Sequence, residues 1–268
     1  MLQQAVDFRE ESDALHALLK TLPEADWSRA TQFKGWRIND VVAHLHFGNY
    51  AADLSLTDEA GFKAFAADYQ GAKQRGIHML DYTHAWLKGT AGPALLAVWH
   101  DYYRAMAERF AAADPRKRVL WFGPDMSVRS SISARLMETW AHGQEVYDVL
   151  GRPCVQGDRI RNIVVMGVNT FGWTFSNRGQ PVPEQQPYLR LEAPSGEIWE
   201  WNAPDAENAI EGSALEFCQV VTQVRNIADT RLRVRGDTAT RWMAVAQCFA
   251  GPPEDPPAPG SRFMQAVG

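Results

Sequence analysis

The chain predicts an α+β protein in two parts, a four-helix bundle followed by a smaller mixed region. Three observations carry this. Through residue 150, apolar residues recur at helical spacing and no segment reads convincingly as a strand. From residue 187 the texture changes: "PYLRLEAP" (187–194) and "EIWEWNA" (197–203) alternate on either side of "SG", the pattern of a β-hairpin. Between them, "GRPCVQGD" (151–158) has the breakers of a boundary, which places the two domains at 1–155 and 156–268.

Taken in order, residues 3–22 form the first expected helix, with Phe8, Leu15, Leu18, Leu19 and Leu22 on one face and Pro23 as its stop. After the loop 23–36, a second helix is expected over 39–53, capped by Asn39 with Asp40 in its first turn. Two more, 73–88 and 92–113, are split by "KGTAGP" (88–93). The segment 117–127 reads as a connector. A long helix over 131–150 follows, with Ser130, Ser131 and Ser133 as caps and Gly151 and Pro153 ending it. Such helices joined by short connections pack as a bundle. Beyond the boundary come a linking helix (159–172), the hairpin, a helix (212–223), a short strand "RLRV" (231–234) and a helix (237–249). The Pro-rich "GPPEDPPAPG" (251–260) is the one stretch expected to be disordered.

Composition narrows the function classes. Hydrophobic residues make up 46% and charged residues 22% of 268, an ordinary globular balance. A net charge of −5 provides no basic footprint for nucleic acid. The N-terminus lacks a signal peptide's basic and apolar regions, and no apolar run reaches the ~18 residues of a membrane helix. Cys154, Cys218 and Cys248 are odd in number and scattered, which argues against a disulfide framework and a zinc knuckle. A cytoplasmic protein with reduced thiols is expected.

The chemistry centres on "METWAHGQEV" (137–146). Glu138 and His142 are one turn apart and share a helix face. Leu136, Trp140, Tyr147 and Leu150 form an apolar stripe, with Glu138, His142 and Glu145 nearly opposite. The pair is therefore either a solvated polar face or two ligands of a metal site. The second helix supplies a third candidate in "VVAHLH" (41–46). His44 lies beside its apolar face, and His46 points about 200° away, so both cannot bind one ion. Two histidines and a glutamate meet the requirement of catalytic zinc for three protein ligands and an open position. The same set accommodates nickel or iron(II). His16, His78, His84 and His100 stand alone.

"GWRINDVVAHL" (35–45) together with "METWAHGQEV" resembles the metal-binding helical domain of the DinB-like superfamily, in the branch that includes mycothiol-dependent maleylpyruvate isomerase. The resemblance implies His44, Glu138 and His142 as metal ligands. The second half resembles the α+β, sterol-carrier-like domain that follows the bundle in that isomerase. Segments such as "GWTFSNRGQPVP" (172–183) and "AQCFAGPP" (246–253) look like a less characterised sister family with the same layout. One departure is Arg37, where the family often has Thr or Ser to cap the second helix.

The resemblance implies a metal-dependent enzyme, with zinc the expected ion, that uses a low-molecular-weight thiol as cosubstrate. Its substrate would be a small electrophilic acid of the maleylpyruvate type, and the outcome isomerisation or S-transfer. Arg225, in "VVTQVRNIAD", is the candidate clamp for a substrate carboxylate, because arginine binds carboxylates bidentately. Two alternatives stay open. One is a hydrolase with metal-activated water and Glu145 as general base. The other is a non-catalytic metal or small-molecule binding protein. Trp36, Trp121 and Trp140 are candidates for pocket wall or core. The second domain is expected to help form the active site.

Overall fold

The structure, a computed structural model, describes residues 1–266. The chain divides into two compact units, Met1–Val149 and a second beginning at Leu150.

The first unit contains helices α1 (Gln3–Leu19), α2 (Ile38–Thr57), α3 (Glu59–Gln74), α4 (Met79–Trp86), α5 (Gly92–Ala112) and α6 (Val128–Leu150). The four long ones, α1, α2, α5 and α6, form the bundle. Their apolar faces meet in a core of Phe8, Leu15, Leu19, Ile38, Trp99, Tyr103, Phe110 and Trp140, all under 2% exposed. The fold departs from the expectation between residues 54 and 88. Helix α3 was not anticipated, although Asp58 caps it by accepting the Gly61 N–H at 2.9 Å. The helix expected over 73–88 survives only as α4, because the chain turns at Gly76, whose φ of 79° ends α3. The connector 117–127 holds two very short antiparallel strands, β1 (Arg118–Val119) and β2 (Met126–Ser127).

Helix α2 is capped differently from the expectation. Arg37 occupies the cap position, and the Asp40 carboxylate reaches back to accept its N–H at 2.8 Å. Asn39 instead accepts the Gly92 N–H at 2.8 Å, which ties the start of α5 to the start of α2.

In the second unit, the expected linking helix is a one-turn 3₁₀ segment (Asp158–Ile160) followed by α7 (Arg161–Asn169) and α8 (Phe171–Ser176). The hairpin forms as β3 (Tyr188–Glu192) and β4 (Ile198–Trp201), paired from Leu189↔Trp201 to Glu192↔Ile198. Gly196, at φ 88°, makes its turn. Next come β5 (Ala209–Ser213), α9 (Ala214–Val221), β6 (Arg233–Arg235) and α10 (Asp237–Val245). The sheet order is β4-β3-β5-β6, with β3 and β5 parallel and the outer pairs antiparallel. Strand β5 escaped the sequence reading, since "AIEGS" barely alternates and its place is set by pairing on both sides. Leu189, Leu191 and Ile210 face a core with Phe217, Phe171 and Trp242, while Arg190 and Glu192 face outward.

The Pro-rich tail is irregular but anchored. Side-chain amides grip its carbonyls: Gln247 to Pro252 at 3.1 Å, Gln223 to Glu254 at 2.8 Å and Asn226 to Pro257 at 2.8 Å. A proline-rich strand has few N–H donors but keeps every carbonyl, so amide donors are what can hold it. The three cysteines form no disulfide. Among the described residues, no helix is long and apolar enough to cross a membrane.

Candidate metal centre

Helix α6 carries many polar residues yet is buried around most of its circumference, including Arg135, Thr139, His142, Glu145 and Asp148. It therefore presents no broad polar face to water. The Glu138 and His142 side chains are only 20% and 11% exposed. A buried charge needs partners, and Glu138 has them. Its Oε2 lies 3.0 Å from His44 Nε2 on α2 and 3.4 Å from His142 Nε2 one turn along α6. One ligand atom from each of the three residues falls within a 4.8 Å cluster.

The loop before α2 roofs this cluster. Residues Ala30 and Arg37 pair across a tight turn through Lys34 and Gly35, both at positive φ. The turn brings Trp36 over the histidines: its ring stacks on His142 at 10° and 5.4 Å and meets His44 edge-on at 5.2 Å. Phe33 packs edge-on against His142 at 5.0 Å. Of the three tryptophans singled out in the sequence, Trp36 thus walls the cluster, Trp140 lies in the core, and Trp121 lies over the Arg135 guanidinium at 5.3 Å.

Burial pushes the Glu138 carboxyl upward, but hydrogen bonds from His142 and His44 and the charge of Arg135 outweigh it and hold the group well below the usual carboxylate range. Burial lowers the His142 pKa, against the pull of its bond to Glu138. Neutral imidazole and ionised carboxylate are the forms that ligate metals. The spacing from Glu138 to each histidine fits as well, although the three ligand atoms together span up to 4.8 Å. Two atoms bound at about 2.0–2.1 Å to one zinc at the tetrahedral angle lie roughly 3.3–3.4 Å apart, close to the 3.0 and 3.4 Å found here.

His46 stays apart. It is buried on another face of α2, against Trp86 and Tyr102. Glu145 is buried on α6, and its charge acts on His142. Arg225 belongs to the second unit, in the loop after α9, where its guanidinium donates to the Val224 carbonyl at 3.0 Å. Phe33 and Arg135 were not anticipated. Arg135 had a legible signal: it sits three residues before Glu138, on the same side of the helix, and its Nη2 lies 3.8 Å from Glu138 Oε1.

A helical bundle with two histidines and one carboxylate converging between α2 and α6 defines the class of protein. The chain matches the family described as mycothiol maleylpyruvate isomerase N-terminal domain over residues 8–147, and it belongs to that family. It is 37% identical over 249 residues to uncharacterized proteins of two Mycobacterium tuberculosis strains, CDC 1551 and H37Rv, spanning 92% of this chain and 95% of theirs. Crystal structures of mycothiol-dependent maleylpyruvate isomerase and of a point mutant of it share the fold, with TM-scores of 0.51 and 0.53. Their identities to this chain are 15% and 13%, over 81% of this chain and 87% of theirs. The expected fold class, an α+β chain that opens with a DinB-like helical domain, is thereby borne out.

Proposed function

We propose that the chain is a metal-dependent enzyme that uses a low-molecular-weight thiol, as an isomerase or S-transferase, on a small electrophilic carboxylic acid of the maleylpyruvate type. The observation that carries this reading is the convergence of three donors, His44, Glu138 and His142, on a largely buried patch walled by Trp36. A purely structural zinc site is normally closed by four protein ligands, and among the described residues this cluster has three. A divalent ion held there, zinc by its donor set, would supply the positive charge that lets a thiol ionise near neutral pH.

The chain's own residues do the rest. His44 and His142 offer imidazole nitrogens, and Glu138 offers a carboxylate oxygen. Trp36 and Phe33 exclude water from the imidazole faces, which strengthens every electrostatic contact inside. The thiolate sulfur bonds to one alkene carbon of the acid, and the displaced π electrons move onto the conjugated carbonyl as an enolate. Rotation about the new single bond, return of the electrons and loss of the thiolate complete an isomerisation. Protonation of the enolate carbon instead leaves a thioether, the product of S-transfer. Arg225 is the second unit's candidate for holding a substrate carboxylate, and Glu145 is the candidate base should water replace the thiol.

Cobalt(II) substitution tests this reading. Titration with mycothiol, glutathione or bacillithiol should produce a sulfur-to-metal charge-transfer band with one of them, and none with an isosteric alcohol. Conversion of maleylpyruvate should require that same thiol, and His44→Ala should abolish both responses. No band with any thiol, together with thiol-independent turnover of an ester or amide, would transfer the assignment to a hydrolase.

A further inference from the structure

Two arginines in the first unit face buried carboxylates, and their geometry differs. Arg109 grips Asp53 with both arms of its fork, Nε to Oδ1 at 2.8 Å and Nη2 to Oδ2 at 2.6 Å. Tyr102 adds a third bond to the same carboxylate at 2.9 Å. That pair is closed. Arg135 is more deeply buried, with only 6% of its side chain exposed, yet its one acidic neighbour is Glu138 at 3.8 Å, beyond hydrogen-bond distance.

The position is nevertheless built. Nη1 fits against Gly48 of α2, where a Cβ would lie 2.0 Å from it. The guanidinium faces the Trp121 ring at 5.3 Å. Helix, glycine and indole thus hold a planar cation in one place, while among the described residues no acceptor meets its N–H groups. Buried polar groups are nearly always hydrogen-bonded, and a guanidinium presents five donors. A largely buried guanidinium, held in place with open donors beside a three-donor cluster, is the arrangement that receives an anion from outside the chain. A planar carboxylate is the group that matches its fork.

We propose that Arg135 is an anion anchor of this site, taking a carboxylate of the small-molecule acid whose reacting carbon lies beside the His44–Glu138–His142 cluster. This rests on the reading of the cluster as a metal-dependent active site and deepens it, naming the residue that selects an acid over a neutral alkene. Arg225 answers to a carboxylate by residue type; Arg135 answers by burial, by its platform and by its distance from Glu138.

The test is equilibrium binding of maleate, with dimethyl maleate as the uncharged control, to the zinc-loaded full chain, read by calorimetry alongside metal content. Wild type should bind maleate and show no comparable affinity for the diester. Arg135→Lys keeps the charge but loses the fork, and should weaken maleate about tenfold or more, in line with charged hydrogen bonds. Arg135→Gln should abolish binding while retaining metal. Maleate affinity within twofold of wild type in either metal-loaded variant would overturn the proposal. So would failure of wild type to bind maleate at millimolar concentration, or loss of metal from both variants, which would make Arg135 only a support for Glu138. No thiol or turnover enters this experiment. Maleate binding that depends on Arg135, without thiol-dependent turnover, would leave the anchor standing and remove the isomerase or transferase reading.

Discussion

His44 and His46 lie two residues apart on α2 and meet different surroundings. His44 turns its Nε2 to the Glu138 carboxylate on α6 and meets the Trp36 and His142 rings edge-on. His46 turns into a closed aromatic nest of Trp86 and Tyr102, while the Nδ1 of both histidines finds no partner among the described residues. Burial alone pushes the His46 pKa down to about 4. Beyond His46, Tyr102, Asp53 and Arg109 satisfy one another. One helix can therefore serve two purposes. Its side toward α6 gathers donor groups around Glu138, and its side toward α5 fixes the scaffold.

The biggest change should come on the first side. His142→Ala should reduce metal, about one divalent ion per chain in wild type, to a small fraction by elemental analysis, because two ligands hold zinc poorly. His46→Ala should leave metal content unchanged. Full occupancy in the His142 variant, or metal loss in the His46 variant, would erase the contrast between the two histidines.

Next in size is an acid effect on the scaffold side. His46 has its folded pKa depressed from 6.5 to about 4, so its neutral form stabilises the fold above pH 6.5. That contribution is lost as pH falls from 6.5 towards 4, because the unfolded chain takes up the proton first. The loss should reach about 3 kcal/mol at pH 4. His46→Leu should be more acid-resistant than wild type by that amount, compared by urea unfolding at pH 7 and pH 4. Parallel losses in both proteins would mean that other groups dominate acid unfolding.

The smallest expected effect sharpens the boundary between the two sides. Asp53→Ala opens the Arg109 fork and strips Tyr102 of its acceptor. A fully buried pair broken this way costs about 3–5 kcal/mol, but the Arg109 side chain is 39% exposed and screened. A loss of about 2 kcal/mol in denaturant unfolding is expected, with metal content intact. A drop in metal content would show that the two sides of α2 are coupled.

Much of this was legible in one dimension. Period and breakers placed α1, α2, α5, α6 and the β3–β4 hairpin within a few residues, because those segments carry their own apolar faces, caps and stops. The i,i+4 spacing put Glu138 and His142 on one face, and helical geometry separated His44 from His46. The elements that were missed lack such signals or draw them from neighbours. Helix α3 buries only Phe62 and Ala72 of its sixteen residues, so its stripe is faint. Strand β5 exists because β3 and β6 pair with it on either side.

The helical bundle, the mixed second region and the set of side chains able to hold a metal follow from the residues alone, since local backbone preference and residue chemistry travel with the chain. Whether Glu138 and His142 face water or each other is settled by packing between distant segments. On a helix wheel the two outcomes look alike. The choice falls to α2 and the 30–37 turn, which close over α6 and replace solvent with His44, Trp36 and Phe33. The same packing separated two similar arginines, delivering a carboxylate to both arms of Arg109 and leaving Glu138 3.8 Å from Arg135. Distances between segments far apart in the chain are set by how helices pack, and no local pattern records them.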